Sequence, residues 1–174
     1  MKKLIIISLG IFIAILLVVA IVWSTTTGRS LDECFFGACC GILYLTGKYL
    51  GFTYKEICVI VNIYLEAGLC LLSALWVTWT AIKGFIHRKA LGPSILMATG
   101  IVYGLAYIGV FLWLCQHYAM PLNDAFDLCY HELIQLAVDY HTTYNIVNYV
   151  IFILLFLVIT IGNTLLVKIL QIRK

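Results

Sequence analysis

The residue best placed to do chemistry is an acid inside an apolar helix. Glu66 follows the start of the apolar run at Ile57 by nine residues, or about 14 Å along a helix rising 1.5 Å per residue. That is close to the middle of a bilayer, where a carboxylate costs about 2.5–3.5 kcal/mol to insert and marks a functional position by default. Asn62 stands one turn away on the same face, and Cys58 and Cys70 continue the stripe. Tyr103 and Tyr107, on a later apolar run, reach similar depth and can donate to the carboxyl group. Glu66, Asn62, Tyr103 and Tyr107 therefore form the candidate intramembrane site. A proton relay, an ion site and an anchor for a partner's helix all fit it. So does a purely structural role, with a protonated Glu66 held by Asn62 or a tyrosine to tie two helices.

The 7 cysteines come next. Cys39 and Cys129 fall on apolar faces and are the pair expected to form a disulfide in an oxidising compartment. The redox version of this idea is a four-span enzyme that oxidises thiols and passes electrons to a quinone. The chain lacks the Cys-x-x-Cys that presents a reactive thiolate, and the adjacent Cys39 and Cys40 can bridge only with strain. Cysteines as small apolar packing residues are the plainer reading. His131-Glu132 is followed by Gln135 where a zinc-protease helix needs a second histidine. His117 and His141 add no tight ligand spacing. No metal, no cofactor and no catalytic residue are expected.

The elements that position these residues follow from composition. The chain has 174 residues, 64% hydrophobic and 11% charged, whereas soluble domains run about 25% charged. With only 2 Pro and so much apolar surface it is not a disordered chain either. It reads as an all-α integral membrane protein. Crossing the hydrocarbon needs about 20 apolar residues, and four runs supply them: 4–23, 57–82, 95–115 and 147–167. Lys2 and Lys3 give the first run the look of a signal peptide, but it is too long and lacks a polar spacer after Ala20, so an uncleaved anchor is expected.

Basic residues set the orientation. Lys2, Lys3, Lys83, Arg88, Lys89, Lys168, Arg173 and Lys174 fall on one side of the four spans, and Arg29, Lys48 and Lys55 on the other. Asp32, Glu33, Glu56, Asp124, Asp127, Glu132 and Asp139 all fall on the second side. Both termini are therefore expected in the cytoplasm, in a bacterial inner membrane. The basic residues are explained by topology and anionic lipid, and no nucleic-acid partner is implied.

Displacing the sequence by 90 residues superposes the first span on the third and the second on the fourth. Gly10/Gly100, Trp23/Trp113, Phe36/Phe126, Cys39/Cys129, Thr53/Thr143 and Tyr54/Tyr144 are then identical. Two parallel units, 1–84 and 91–174, are expected within one membrane domain, each a span, an outer interfacial helix and a span. The interfacial helices are expected at 34–50 and 124–141. Asn123 is placed to cap the second, with Phe126, Cys129, Leu133, Leu136, Ala137 and Tyr140 on its apolar side and Asp127, His131, Gln135 and Asp139 on another. Thr53 and Glu56 have capping-box spacing at the start of the second span. Gly10, Ala14, Gly100 and Gly104 suggest a close seam between the first and third helices. Glu66 falls opposite Phe156 in this register, so the copies differ at the acid.

The expected protein is a non-enzymatic four-helix bundle in the lipid bilayer. It acts by helix–helix or outer-face contact with a membrane or periplasmic protein, as an envelope-complex subunit or an immunity-type protein, and can also self-associate. The thiol–quinone oxidoreductase and a small transporter or channel subunit using Glu66 stand as alternatives.

Overall fold

A computed structural model describes the backbone of residues 2–88 and 91–172 and the side chains of residues 14–86 and 94–171. The described residues are helical throughout, with no strand. In order the helices are α1 (Lys2–Thr27), α2 (Leu31–Leu50), α3 (Tyr54–Cys58), α4 (Glu66–Arg88), α5 (Leu91–His117), α6 (Leu122–Asp139), α7 (Tyr144–Asn148) and α8 (Phe156–Ile172). Between α3 and α4, and again between α7 and α8, the chain winds into a seven-residue π-helix, Val59–Leu65 and Tyr149–Leu155. Three continuous helices are long and apolar enough to cross a membrane: Tyr54–Ile86, Ser94–His117 and Tyr144–Gln171. They contain the expected runs 57–82, 95–115 and 147–167 and extend each of them, because capped polar turns carry the helix beyond the apolar stretch. The expected run 4–23 lies within α1, where the apolar segment with described side chains is Ala14–Thr27.

The chain divides into two compact units, Met1–Ile57 and Cys58–Lys174. In the first, α1 packs on α2. The turn between them is made at Gly28, whose φ of 69° suits a residue without Cβ. Ser30 then caps α2 by accepting from the Glu33 N–H, and Asp32 and Glu33 sit in its first turn, where the helix dipole favours acids. This moves the start of the helix expected at 34–50 back to Leu31. The Trp23 ring lies against Gly37, 3.1 Å from where a Cβ would stand, so the glycine makes the close packing of α1 on α2. The capping box forms as expected: Thr53 N–H and Oγ1 both donate to Glu56 Oε2, and the Glu56 N–H donates back to Thr53 Oγ1.

In the second unit α4 packs against both α5 and α8. Gly100 and Gly104, expected to meet Gly10 and Ala14 of the first helix, face Thr78 and Ala81 of α4. The Thr78 hydroxyl donates to the Gly100 carbonyl at 2.8 Å, so the glycines bring α5 within hydrogen-bonding distance of its neighbour in sequence. Ala14 is exposed, and Gly10 lies outside the residues whose side chains are described. Lys2, Lys3, Arg88, Lys89, Arg173 and Lys174, used above for orientation, also lie outside them.

Helix α6 rests across the two π-helical turns. Ala125 and Tyr118 pack with Val59 and Ile63 of the first turn, and Leu133 and Ala137 pack with Val147, Ile151 and Phe152 beside the second. The apolar side read from the sequence is the buried one, except that Tyr140 is 76% exposed at the end of the helix. Asn123 does not cap α6. The helix begins a residue earlier at Leu122, after Pro121, whose carbonyl accepts from the Ala125 N–H. The fixed φ of proline predisposes the chain to start there.

Candidate functional site

One cavity of about 310 Å³ opens within the second unit, between the first π-helical turn with α4, helix α5, helix α6, and the second π-helical turn with α8. Glu66, Asn62 and Tyr107, three of the four residues of the expected intramembrane site, line it. Tyr103 does not. It stands behind Tyr107, with the two hydroxyls 3.4 Å apart. Cys58 leaves the expected stripe: it is buried outside the cavity, while Cys70 lines it. The cause is the π-helical turn, whose wider winding moves residues four apart off a common face. The Glu66 N–H closes that turn by donating to the Val61 carbonyl, five residues back.

The cavity walls are mainly apolar, with Phe111, Leu114, Phe152, Leu155 and Phe156 prominent. Two carboxylates, Glu66 and Glu132, face this space, and no Lys, Arg or His lines it. The two acids differ in how they are satisfied. Glu132 Oε1 is 2.8 Å from His117 Nε2, and its Oε2 accepts from the Tyr118 hydroxyl at 2.5 Å. The Glu132 side chain is 40% exposed, so this end of the cavity lies at the protein surface. Glu66, by contrast, makes no hydrogen bond or ion pair with any described residue, and neither does the Asn62 amide. The structural tie read from the sequence, with Asn62 or a tyrosine holding Glu66, is not made.

Of the two tyrosines placed by the sequence to donate to Glu66, Tyr103 is engaged elsewhere. Tyr103 donates to Asn163 Oδ1 at 2.5 Å, and Asn163 Nδ2 donates to Ser73 Oγ at 2.7 Å. The Ser73 hydroxyl in turn donates a hydrogen bond to the Cys70 carbonyl. One amide on α8 thus joins α4 and α5, and it is buried to 2% exposure. A turn or two farther along, the buried residues are Val77, Thr80 and Ala81 on α4 and Val167 on α8.

Sequence reasoning missed this joint and the Glu132–His117–Tyr118 cluster. One signal for the joint was available, since Ser73 and Asn163 stand 90 residues apart, polar opposite polar in two otherwise apolar helices. The remaining histidines are placed singly. His131 Nδ1 meets the Asp127 carbonyl of its own helix, and His141 sits at the α6–α7 turn with φ of 50°.

The cysteine pair expected to bridge, Cys39 and Cys129, carries free thiols. Cys129 faces the cavity beside Tyr118, and burial pushes its thiol up to about 11. Burial likewise raises the Tyr118 hydroxyl, helped by its bond to Glu132, and it raises Cys39, helped by the neighbouring Cys40. Since the thiolate is the nucleophile, burial leaves Cys129 mainly as the unreactive thiol at pH 8. Alkylation of Cys129 by iodoacetamide is therefore expected to be more than tenfold slower than that of an exposed cysteine at pH 8. It should accelerate with each step of pH toward 11, and mass spectrometry of a variant retaining only this cysteine measures it.

Comparison with protein families, with characterised proteins and with solved structures yields no match. The fold by itself defines the class: a membrane protein whose described residues are all-helical and include three helices fit to cross a membrane.

Proposed function

We propose that this is a non-enzymatic, four-span inner-membrane protein with both termini in the cytoplasm, and that it acts by contact with a protein partner at the cavity beneath α6. One observation carries the reading. Glu66 and Asn62 place an acceptor and an amide, both without a hydrogen-bond partner among the described residues, against an apolar-walled cavity. Buried polar groups are ordinarily satisfied internally, so groups left open at membrane depth favour an external occupant. The surface acid Glu132 borders the same space, which joins the outer helix and the intramembrane acid, the two features from which a contact was expected, in one site.

Thiol oxidation is less favoured because Cys129 is held as a neutral thiol. A fourth span in α1, and a duplicated architecture, complete the proposal. The first π-helical turn starts at Val59 and the second at Tyr149, a separation of 90 residues. Helices α1 and α5 end at Thr27 and His117, the same distance apart. Left-handed residues recur in step at Gly51 and His141. These agreements support the repeat more firmly than the identities in sequence.

The test is purification of tagged protein from native membranes in mild detergent. A stoichiometric membrane or periplasmic protein is expected to copurify with the wild type and to be lost with Ala67→Trp, which fills the cavity. A clean monomer that conducts ions in liposomes overturns the proposal.

A further inference from the structure

We infer that the cavity receives one basic side chain, a lysine or arginine carried on an apolar segment of the partner. This identification rests on the partner-binding function proposed above and names the chemistry of the contact. The argument from charge is direct. Two carboxyl groups, Glu66 and Glu132, border the cavity, and no Lys, Arg or His among the described residues lines it. Glu132 is occupied by His117 and Tyr118, which leaves the Glu66 carboxylate and the Asn62 amide oxygen as the acceptors open to an occupant. An apolar side chain entering there would cover both and leave them unsatisfied, which is costly. An acidic one would set like charges together in a medium of low dielectric. A cation satisfies both groups. It also relieves its own helix, because an unpaired basic residue in hydrocarbon is as unfavourable as an unpaired acid.

Size and wall chemistry narrow the choice to a side chain. About 310 Å³ accommodates one long side chain but not a helix, whose diameter alone is about 10–12 Å. The apolar walls at Phe111, Phe152 and Phe156 suit the methylene stem of lysine or arginine, which buries its carbons while its head seeks a polar partner. Tyr107, whose aromatic ring is of the kind that attracts cations, also lines the cavity.

The experiment uses the full chain in phosphatidylcholine nanodiscs with designed transmembrane peptides of leucine and alanine, carrying lysine, leucine or glutamate at one central position. Association is read by energy transfer from the protein's tryptophans to a fluorophore on the peptide. The lysine peptide is expected to associate, and the leucine and glutamate peptides only weakly. Glu66→Gln, which keeps shape and removes charge, is expected to weaken the lysine peptide by on the order of thirtyfold, the lower range for removing one member of a buried charge pair. Ala67→Phe narrows the cavity without touching the acid and is expected to weaken it as well. Equal association of the lysine and leucine peptides, or indifference of the lysine peptide to Glu66→Gln, overturns the basic side chain. If a partner still copurifies from native membranes, the partner-binding function stands without it; if neither peptide nor partner is retained, that function falls too.

Discussion

Gly100→Leu is expected to cost about 3 kcal/mol of stability, at or above the upper end for overpacking a core. A Cβ at Gly100 would lie 2.9 Å from the Cβ of Ala81, a carbon fixed to the α4 backbone that cannot rotate away. Relief requires the helices to separate, and separation breaks the bond from Thr78 Oγ1 to the Gly100 carbonyl. Gly104 offers a useful contrast. Its added Cβ would lie 2.6 Å from Thr78 Oγ1 but 3.4 Å from the Thr78 Cβ. A turned hydroxyl removes most of that clash at the loss of its bond to the Gly100 carbonyl, whereas Gly100→Ala loses the same bond and must also part the helices, so Gly104→Ala should cost less than Gly100→Ala. Unfolding of the purified protein in mixed micelles, titrated with sodium dodecyl sulfate, ranks the three variants. Ala81→Gly is expected to restore most of the loss in Gly100→Ala and little in Gly104→Ala. Equal losses for both alanine variants would place the close contact elsewhere.

Asn163→Leu is the second large effect, expected at about 1–2 kcal/mol. The substitution nearly conserves volume, so its cost is mainly polar. Tyr103 loses its acceptor and Ser73 its donor in a site 2% exposed. Interhelical hydrogen bonds in membranes average about 0.6 kcal/mol, with a maximum near 1.7, because the separated helices also find partners. Two such bonds at one residue give the stated range. Because Tyr103 acts through Asn163, Tyr103→Phe should cost less in the Asn163→Leu background than in the wild type, and the double-mutant cycle in the same micelles measures the coupling. Additive losses would mean that the two residues stabilise the bundle independently.

The three long helices were legible because each rests on a local pattern. An unbroken apolar run is visible at 95–115, and the Thr53–Glu56 box lies within four residues of chain. What escaped was set by other forces. Asn123 has the right chemistry for a cap, but Pro121 starts α6 before it. Gly100 and Gly104 announce a close approach without naming the neighbour, and the hydroxyl of Thr78 decides it. At the site, burial depth alone singled out Glu66, Asn62 and Tyr107. Their surroundings depend on pairings between helices, such as Tyr103 with Asn163, which no spacing along one segment reveals. Glu132 counted only as one more acid of the outer helix until the fold set it beside His117 and Tyr118.

The π-helical turn that ends at Glu66 also fixes the phase of everything beyond it. It holds one residue more than an ordinary helix of equal height, so it works like an extra tooth in a gear train. Shortening the chain by a single residue between Val59 and Leu65 would let the segment rewind as plain α-helix, at the price of rotating one half against the other by about 100°. Val59 would then swing away from Ala125 of α6 while Glu66 and Thr78, together on α4, kept their places. Rotational alignment between the two ends of this helix, rather than the mere presence of an acid, is what lets α6 lie over the space that Glu66 faces.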